Sequence, residues 1–268
     1  MPAFILARLR FWPLLGLACI VSACAPPKKP ATPFDAAMQH RAHGEMTEYR
    51  RSLERELTIH PANLDARYNL AILLADTGHA GDARKLYEAN LRRSRHLPSA
   101  INLAMLLQQE GNDTKAEQLL LRTSEQFPHE ATPWYLLANL AERQGRHDEA
   151  ERRFREAVSR DRHNGFAHLY YARFLAKQRR FDAAQNEARQ SVTLLPDCAP
   201  CWRSLGDVLI LSGEQKEALT AYQRSLAIQP DIATRQKLID NLQALGWHDR
   251  ARRMQQALDA WRRQHPDK

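Results

Sequence analysis

No apolar run in this chain has the length of a bilayer crossing. The one near the start, Phe11 to Val21, is eleven residues interrupted by Pro13, against about 20 for a spanning helix. Alternating apolar–polar stretches are missing too, and the 268 residues include only ten glycines, which argues against hairpin-rich β architectures. There is no P-loop, no G-x-S-x-G and no H-E-x-x-H, so none of these catalytic signatures is present. Neither an enzymatic activity nor a cofactor is expected. Acidic residues are in deficit, 31 against 39 lysines and arginines, for a net charge of +8. Residues 1–23 carry two arginines and no acid, so removing them leaves +6. No basic cluster is interleaved with aromatics as base stacking would need, so nucleic acid is not an expected partner. The charge is spread over mixed faces, such as Arg152, Arg153 and Arg155 beside Glu149, Glu151 and Glu156, the usual pattern of a solvated helix surface. The C-terminal Arg250, Arg252, Arg253, Arg262 and Arg263 are a better candidate for an acidic partner.

What the chain does have is a period. Trp202, Leu205, Gly206, Gly213, Ala218, Tyr222 and Pro230 recur one period upstream as Tyr171, Ala172, Leu175, Phe181, Ala184 and Pro196. Before those come Trp134, Leu137, Ala138, Gly145, Ala150 and Phe154, then Leu103, Ala104, Leu107, Gly111, Ala116 and Leu120, then Leu70, Ala71, Leu74, Gly78, Ala83 and Tyr87. The small residues mark where two antiparallel helices approach most closely. The glycines can take the positive φ that ends a first helix. A weaker unit runs through Ala37, Gly44, Leu53 and Pro61, and a seventh pair through Leu238, Leu242, Gly246 and Ala251. The unit at Leu70–Tyr87 is one residue short, which predicts an irregular link near His96–Pro98.

This pattern resembles the tetratricopeptide repeat, a helix–turn–helix unit of about 34 residues. The resemblance implies an all-α fold, a right-handed superhelical solenoid of six to seven helix pairs over residues 35–268, with 232–264 as a capping pair. It also implies a protein partner on the concave side, at columns 2, 5, 9 and 12 of each first helix. Those columns give an apolar strip of Tyr68, Ile72, Ile101, Met105 and Tyr135, extended by Asn139, Leu169, Arg173 and Arg203. Chaperone-binding relatives carry a lysine and asparagine clamp for a peptide carboxylate. The matching columns here hold Tyr68 and Ile72, then Ile101 and Met105, so a chaperone C-terminus is disfavoured.

The start of the chain is different. Arg8 and Arg10 precede the apolar run, which ends in Val21-Ser22-Ala23-Cys24. Its length is that of a signal-peptide core, and its end resembles the bacterial lipobox. That resemblance implies a signal peptide over 1–23, lipidation at Cys24 and, from Ala25, sorting to the periplasmic face of the outer membrane. Ordinary secretory cleavage at the same bond is the alternative. Residues 24–34 hold Pro26, Pro27, Pro30 and Pro33 and are expected to form a non-helical tether. As polyproline II, Ala25–Pro33 would span about 28 Å.

Cys198 and Cys201 remain, as C-x-x-C at a helix start. A helix amino terminus lowers a thiol pKa, so redox activity is one reading, but the preceding strand of a thioredoxin fold is missing. A structural disulfide in an oxidising compartment is the other. The histidines show no i,i+4 pair and sit mainly at turns, as His60, His79, His96, His129, His147, His163 and His248 do, so no metal site is expected. Lipobox plus array is similar in architecture to type IV pilus biogenesis and pilotin lipoproteins. That implies a non-enzymatic adaptor held in the membrane by its N-terminal lipid. Repeat lipoproteins of exopolysaccharide export, or of murein-enzyme and protease complexes, and a periplasmic thiol protein are the rival expectations.

Overall fold

The computed structural model describes residues 32–264, which fall into two compact units dividing at Glu56/Leu57. The expected leader 1–23, Cys24 and most of the 24–34 tether lie outside the described residues. The first unit holds α1 (Pro33–Ala42) and most of α2 (Met46–Ile59). Helix α1 begins inside the stretch expected to be tether. Proline is excluded from a helix interior but suits the first turn, where its missing N–H costs nothing. Thr32 and Asp35 close a capping box just ahead of it: the Thr32 hydroxyl accepts from the Asp35 N–H and the Asp35 carboxylate from the Thr32 N–H, both at 3.0 Å. The Glu56 carboxylate accepts the Phe34 N–H at 3.3 Å.

The second unit runs α3 (Leu64–Asp76), α4 (Ala80–Arg93), α5 (Leu97–Gln109), α6 (Asp113–Gln126), α7 (Ala131–Arg143), α8 (His147–Arg160), α9 (Gly165–Lys177), α10 (Phe181–Leu194), α11 (Ala199–Leu211), α12 (Gln215–Ile228), α13 (Ile232–Ala244) and α14 (His248–Gln264). No strand occurs among the described residues. The fold is an all-α solenoid of helix pairs. First helices start every 34 residues, except for steps of 33 into α5 and α13. The first of these exceptions is the short link expected before Pro98, now residues 94–96.

Each pair closes in the same way. Gly213 takes φ +83, and the N–H beyond it, on Glu214, reaches back to the Leu209 carbonyl at 2.8 Å. This satisfies an orphan carbonyl at the end of α11. The equivalent residue between α9 and α10 is Arg179, a non-glycine at φ 59, and there too the following N–H, on Arg180, reaches the Leu175 carbonyl at 3.0 Å. The pairwise close approach works as expected at Ala138 and Ala150, or Ala172 and Ala184, all fully buried.

From α4 onward each second helix packs on the first helix that follows it, and first helices also pack directly on one another at α3–α5, α7–α9 and α9–α11. The first helices therefore form the tightly packed row, and one core runs from Ala104 to Leu258.

His168 on α9 is buried in this row. Its Nδ1 lies 2.6 Å from the Glu187 carboxylate on α10, and its Nε2 lies 3.1 Å from the Arg162 carbonyl. A carboxylate and a carbonyl both accept, so a protonated ring, donating from both nitrogens, satisfies the two of them. Burial disfavours that charge, but the bonds to Glu187 and Arg162 outweigh it and the pKa is raised. A raised folded pKa gives stability that is fully present below the unfolded value of about 6.5 and is lost as pH climbs through the folded one. His168→Gln is expected to cost about 1.5–3 kcal/mol near pH 5, and its deficit against wild type should shrink on going to about pH 9. Urea unfolding of both proteins across that range is the measurement. A pH-independent deficit would mean a neutral ring.

Candidate protein-binding surface

The first-helix row carries the nine residues expected to contact a partner, and the structure sorts them by burial. Tyr68 is half-buried, its ring 6.1 Å from Tyr87 and 5.5 Å from His96, its hydroxyl accepting from Asn102 at 3.2 Å. Ile72 and Ile101 are half-buried, as is Asn139. Met105 is 43% exposed. Tyr135 stacks on Tyr170 at 4.9 Å and leaves 9% of its surface accessible, while Leu169 leaves 4%. Both therefore pack chiefly between neighbouring first helices, and Tyr135 cannot serve as a free anchor.

Leu169, Arg173 and Arg203 do come together. They line a cleft between α9 and α11 of about 190 Å³, with Lys177 and Asp207 at its edge and Val208 and Leu211 among its apolar walls. A second cleft of about 540 Å³ lies among α11, α12 and α13 and shares Asp207 and Leu211 with the first. The two make one continuous surface along the first helices. Leu211 is 51% exposed at its centre, an apolar side chain left facing water.

Charge on this surface is mostly matched. The Lys177 ammonium lies 2.7 Å from Glu142, Arg203 lies 3.8 Å from Asp231, and Lys237 holds Asp207 at 2.6 Å. Arg173 forms no ion pair with a described residue; its guanidinium lies 5.9 Å from the Tyr170 ring centroid. The Tyr222 hydroxyl donates to Asp207 at 2.8 Å. Burial first, and then the Asp207 charge, raise the phenol pKa, so it stays a neutral donor.

Lys177 and Leu211 were not among the expected contacts. Each lies one helical turn beyond a column-9 residue, Arg173 and Asp207, on the same face, and that spacing is the signal that could have found them. Cys198 and Cys201 are joined as a disulfide at the first turn of α11, where Cys198 is the N-cap and its sulfur accepts from the Cys201 N–H at 3.2 Å. Cys201 is fully buried. Among the described residues, no three histidine, cysteine, aspartate or glutamate side chains gather as a metal would need.

Residues 95–163 and 141–206 match the family described as tetratricopeptide repeat. Residues 95–206 carry tetratricopeptide repeats. Solved repeat structures agree on the fold. A chain of the APC/C hetero-tetramer Cut9–Hcn1 superposes with a TM-score of 0.64 at 20% identity, over 81% of this chain and 44% of that one. This chain thus spans less than half of that relative's length. A tetratricopeptide repeat protein from Parabacteroides merdae gives 0.58 at 15% identity, over 85% and 91%. MamA from Desulfovibrio magneticus RS-1 gives 0.55 at 16% identity, over 64% and 97%. No curated protein matches the chain. Tetratricopeptide repeats point to protein–protein interaction.

Proposed function

We propose that this chain is a non-enzymatic adaptor, lipid-anchored through Cys24 at the periplasmic face of a bacterial outer membrane, that holds a segment of a partner protein while an envelope machine assembles. The observation that carries the adaptor reading is the continuous cleft surface from α9 to α13, with Leu211 exposed at its centre. An apolar side chain of the partner would cover Leu211, and a carboxylate beside it would meet Arg173, the cation left without an ion pair on that surface. Anchoring rests on Val21-Ser22-Ala23-Cys24 behind a short apolar core. The type IV pilus secretin is the machine this architecture suggests.

The experiment is affinity recovery of the full chain from detergent-solubilised envelopes, with partners identified by mass spectrometry. Leu211→Glu with Arg173→Glu changes two exposed residues, so folding should persist by circular dichroism. Partner recovery is expected to fall at least about tenfold, equivalent to roughly 1.4 kcal/mol. Cys24→Ala should keep groove binding but move the protein to the soluble fraction. Undiminished recovery by the groove variant removes the adaptor surface. An unacylated mature amino terminus removes the anchor.

A further inference from the structure

Away from the first-helix row, the second helices carry most of the chain's arginines, and most of these are matched. Arg155 reaches Glu151 at 2.6 Å, Arg160 reaches Glu156 at 2.6 Å, and Arg189 reaches Glu217 at 2.6 Å. Exceptions gather on α14, where Arg250, Arg252, Arg253 and Arg263 form no ion pair with a described residue, and in one cleft. Between α4, α5 and α6, at the shortened link, lies a cleft of about 790 Å³ whose lining holds six lysines and arginines and one acid, Glu88. Arg84 and Arg92 have carboxylate partners, at 3.1 and 3.8 Å. Arg93 donates only to the Pro61 carbonyl, and Arg122 only to the Gln118 carbonyl of its own helix. Arg95 and Lys115 form no ion pair with a described residue. The walls between these cations are apolar: Leu91 and Leu119 are half-buried, and the buried Leu103 and Leu107 complete them.

We propose that this cleft is a second docking site, distinct from the first-helix groove, for a protein segment that alternates carboxylates with apolar side chains. Unmatched guanidinium groups favour carboxylates, which they can bind in bidentate fashion. Glutamates along the rim would meet Arg95, Arg122 and Lys115, and leucine-sized side chains between them would reach Leu91 and Leu119. A flat headgroup plane would meet the cations but would leave that recessed apolar lining uncovered, so a membrane surface is the poorer fit. Clustered positive charge also accelerates capture of an acidic partner, with a rate that falls as salt is added.

The test is fluorescence anisotropy with the full-length protein and a short labelled peptide alternating leucine and glutamate. Wild type is expected to bind it, more weakly as salt rises. With Leu211→Glu and Arg173→Glu already in place to remove the first-helix groove, Arg95→Glu with Arg122→Glu, both exposed positions, should weaken binding at least about tenfold, while Arg152→Glu, exposed on α8 and outside both clefts, should leave it unchanged. Leu119→Gln should weaken binding with the salt dependence retained. Absence of binding by wild type, equal binding by the double charge reversal, or equal binding of a peptide with serine in place of leucine would each overturn the site. So would sedimentation with phosphatidylglycerol vesicles that the peptide fails to compete, since the cations would then be reading a lipid surface. Because the first-helix groove is already removed in that background, failure here is distinguished from failure of that groove.

Discussion

Asn90→Leu should destabilise the fold by on the order of 3 kcal/mol, although leucine keeps the branched shape of asparagine, because the polar network it enters cannot be satisfied by an apolar side chain. Asn90 is fully buried on α4 and uses both ends of its amide. Its Oδ1 accepts from the Arg67 guanidinium at 2.7 Å, and its Nδ2 donates to the Leu64 carbonyl at 2.9 Å and the Ser99 hydroxyl at 3.0 Å. Arg67 is 6% exposed, and among the described residues it also donates to the Pro61 carbonyl. Burial, reinforced by the nearby Arg93, lowers its pKa. The guanidinium is thus a buried charge compensated by neutral oxygens alone. Leucine would remove one of them and also withdraw a donor from the Leu64 carbonyl and from the Ser99 hydroxyl, which keeps His96 Nδ1 at 2.7 Å. Urea unfolding supplies the number. Arg67→Met added to Asn90→Leu should recover part of the loss, because an apolar pair is cheaper than a half-satisfied polar one. A cost below about 1 kcal/mol, or strict additivity of the two changes, would show that water or backbone adjustment satisfies Arg67.

That network joins α3, α4 and α5, and nothing in the repeat pattern announces it. The legible features were those that a single pair imposes on itself. A glycine such as Gly213 is needed where the chain turns at positive φ, and alanines such as Ala138 and Ala150 where two helices touch. These demands depend on size and backbone alone, so they repeat at the period and can be read in order along the chain. Features that depend on which neighbour arrives were not legible. Asn90 meets Arg67 and Ser99 only after three helices stack. Tyr135 and Leu169 occupy contact columns, yet the next first helix brings Tyr170 against one and closes over the other. Arg179 stands where the period asks for glycine, and the turn forms regardless, so the local rule is a preference that the surrounding pair can override. The cleft surface was half legible. Arg173 and Arg203 came from the contact columns, and Lys177 and Leu211 lie one turn beyond column 9 where the same rule could have found them, whereas Lys237 depends on Asp207 coming within reach of α13. His168, absent from the turn positions that hold most histidines, becomes notable only once Glu187 and the Arg162 carbonyl close on it.

Gly206→Val should cost about 3 kcal/mol, and it should also disable the first-helix groove, linking the stability of one pair to its proposed use. A Cβ at Gly206 would lie 2.6 Å from Cε1 and 2.7 Å from Cδ1 of Tyr222, inside any normal contact. Tyr222 is 2% exposed and its ring is rigid, so the helices must separate or the ring must turn. Valine would gain a few tenths of a kcal/mol over glycine in helix propensity, far too little to offset that. Turning the ring withdraws its hydroxyl from Asp207, which is otherwise clamped by Tyr222 at 2.8 Å and Lys237 at 2.6 Å. Asp207 borders both clefts of the groove, so its release would let Lys237 swing and would open the surface around Leu211. Neighbouring pairs should loosen as well, since a repeat array is stabilised through nearest-neighbour contacts. Thermal unfolding reads the first effect. Partner recovery, measured well below the unfolding midpoint, reads the second. Tyr222→Leu in the Gly206→Val background should restore part of the stability, because the obstructing ring is gone, but not the groove, because Asp207 still lacks its donor. If the double variant regained both together, the Tyr222–Asp207 bond would have no part in shaping the binding surface.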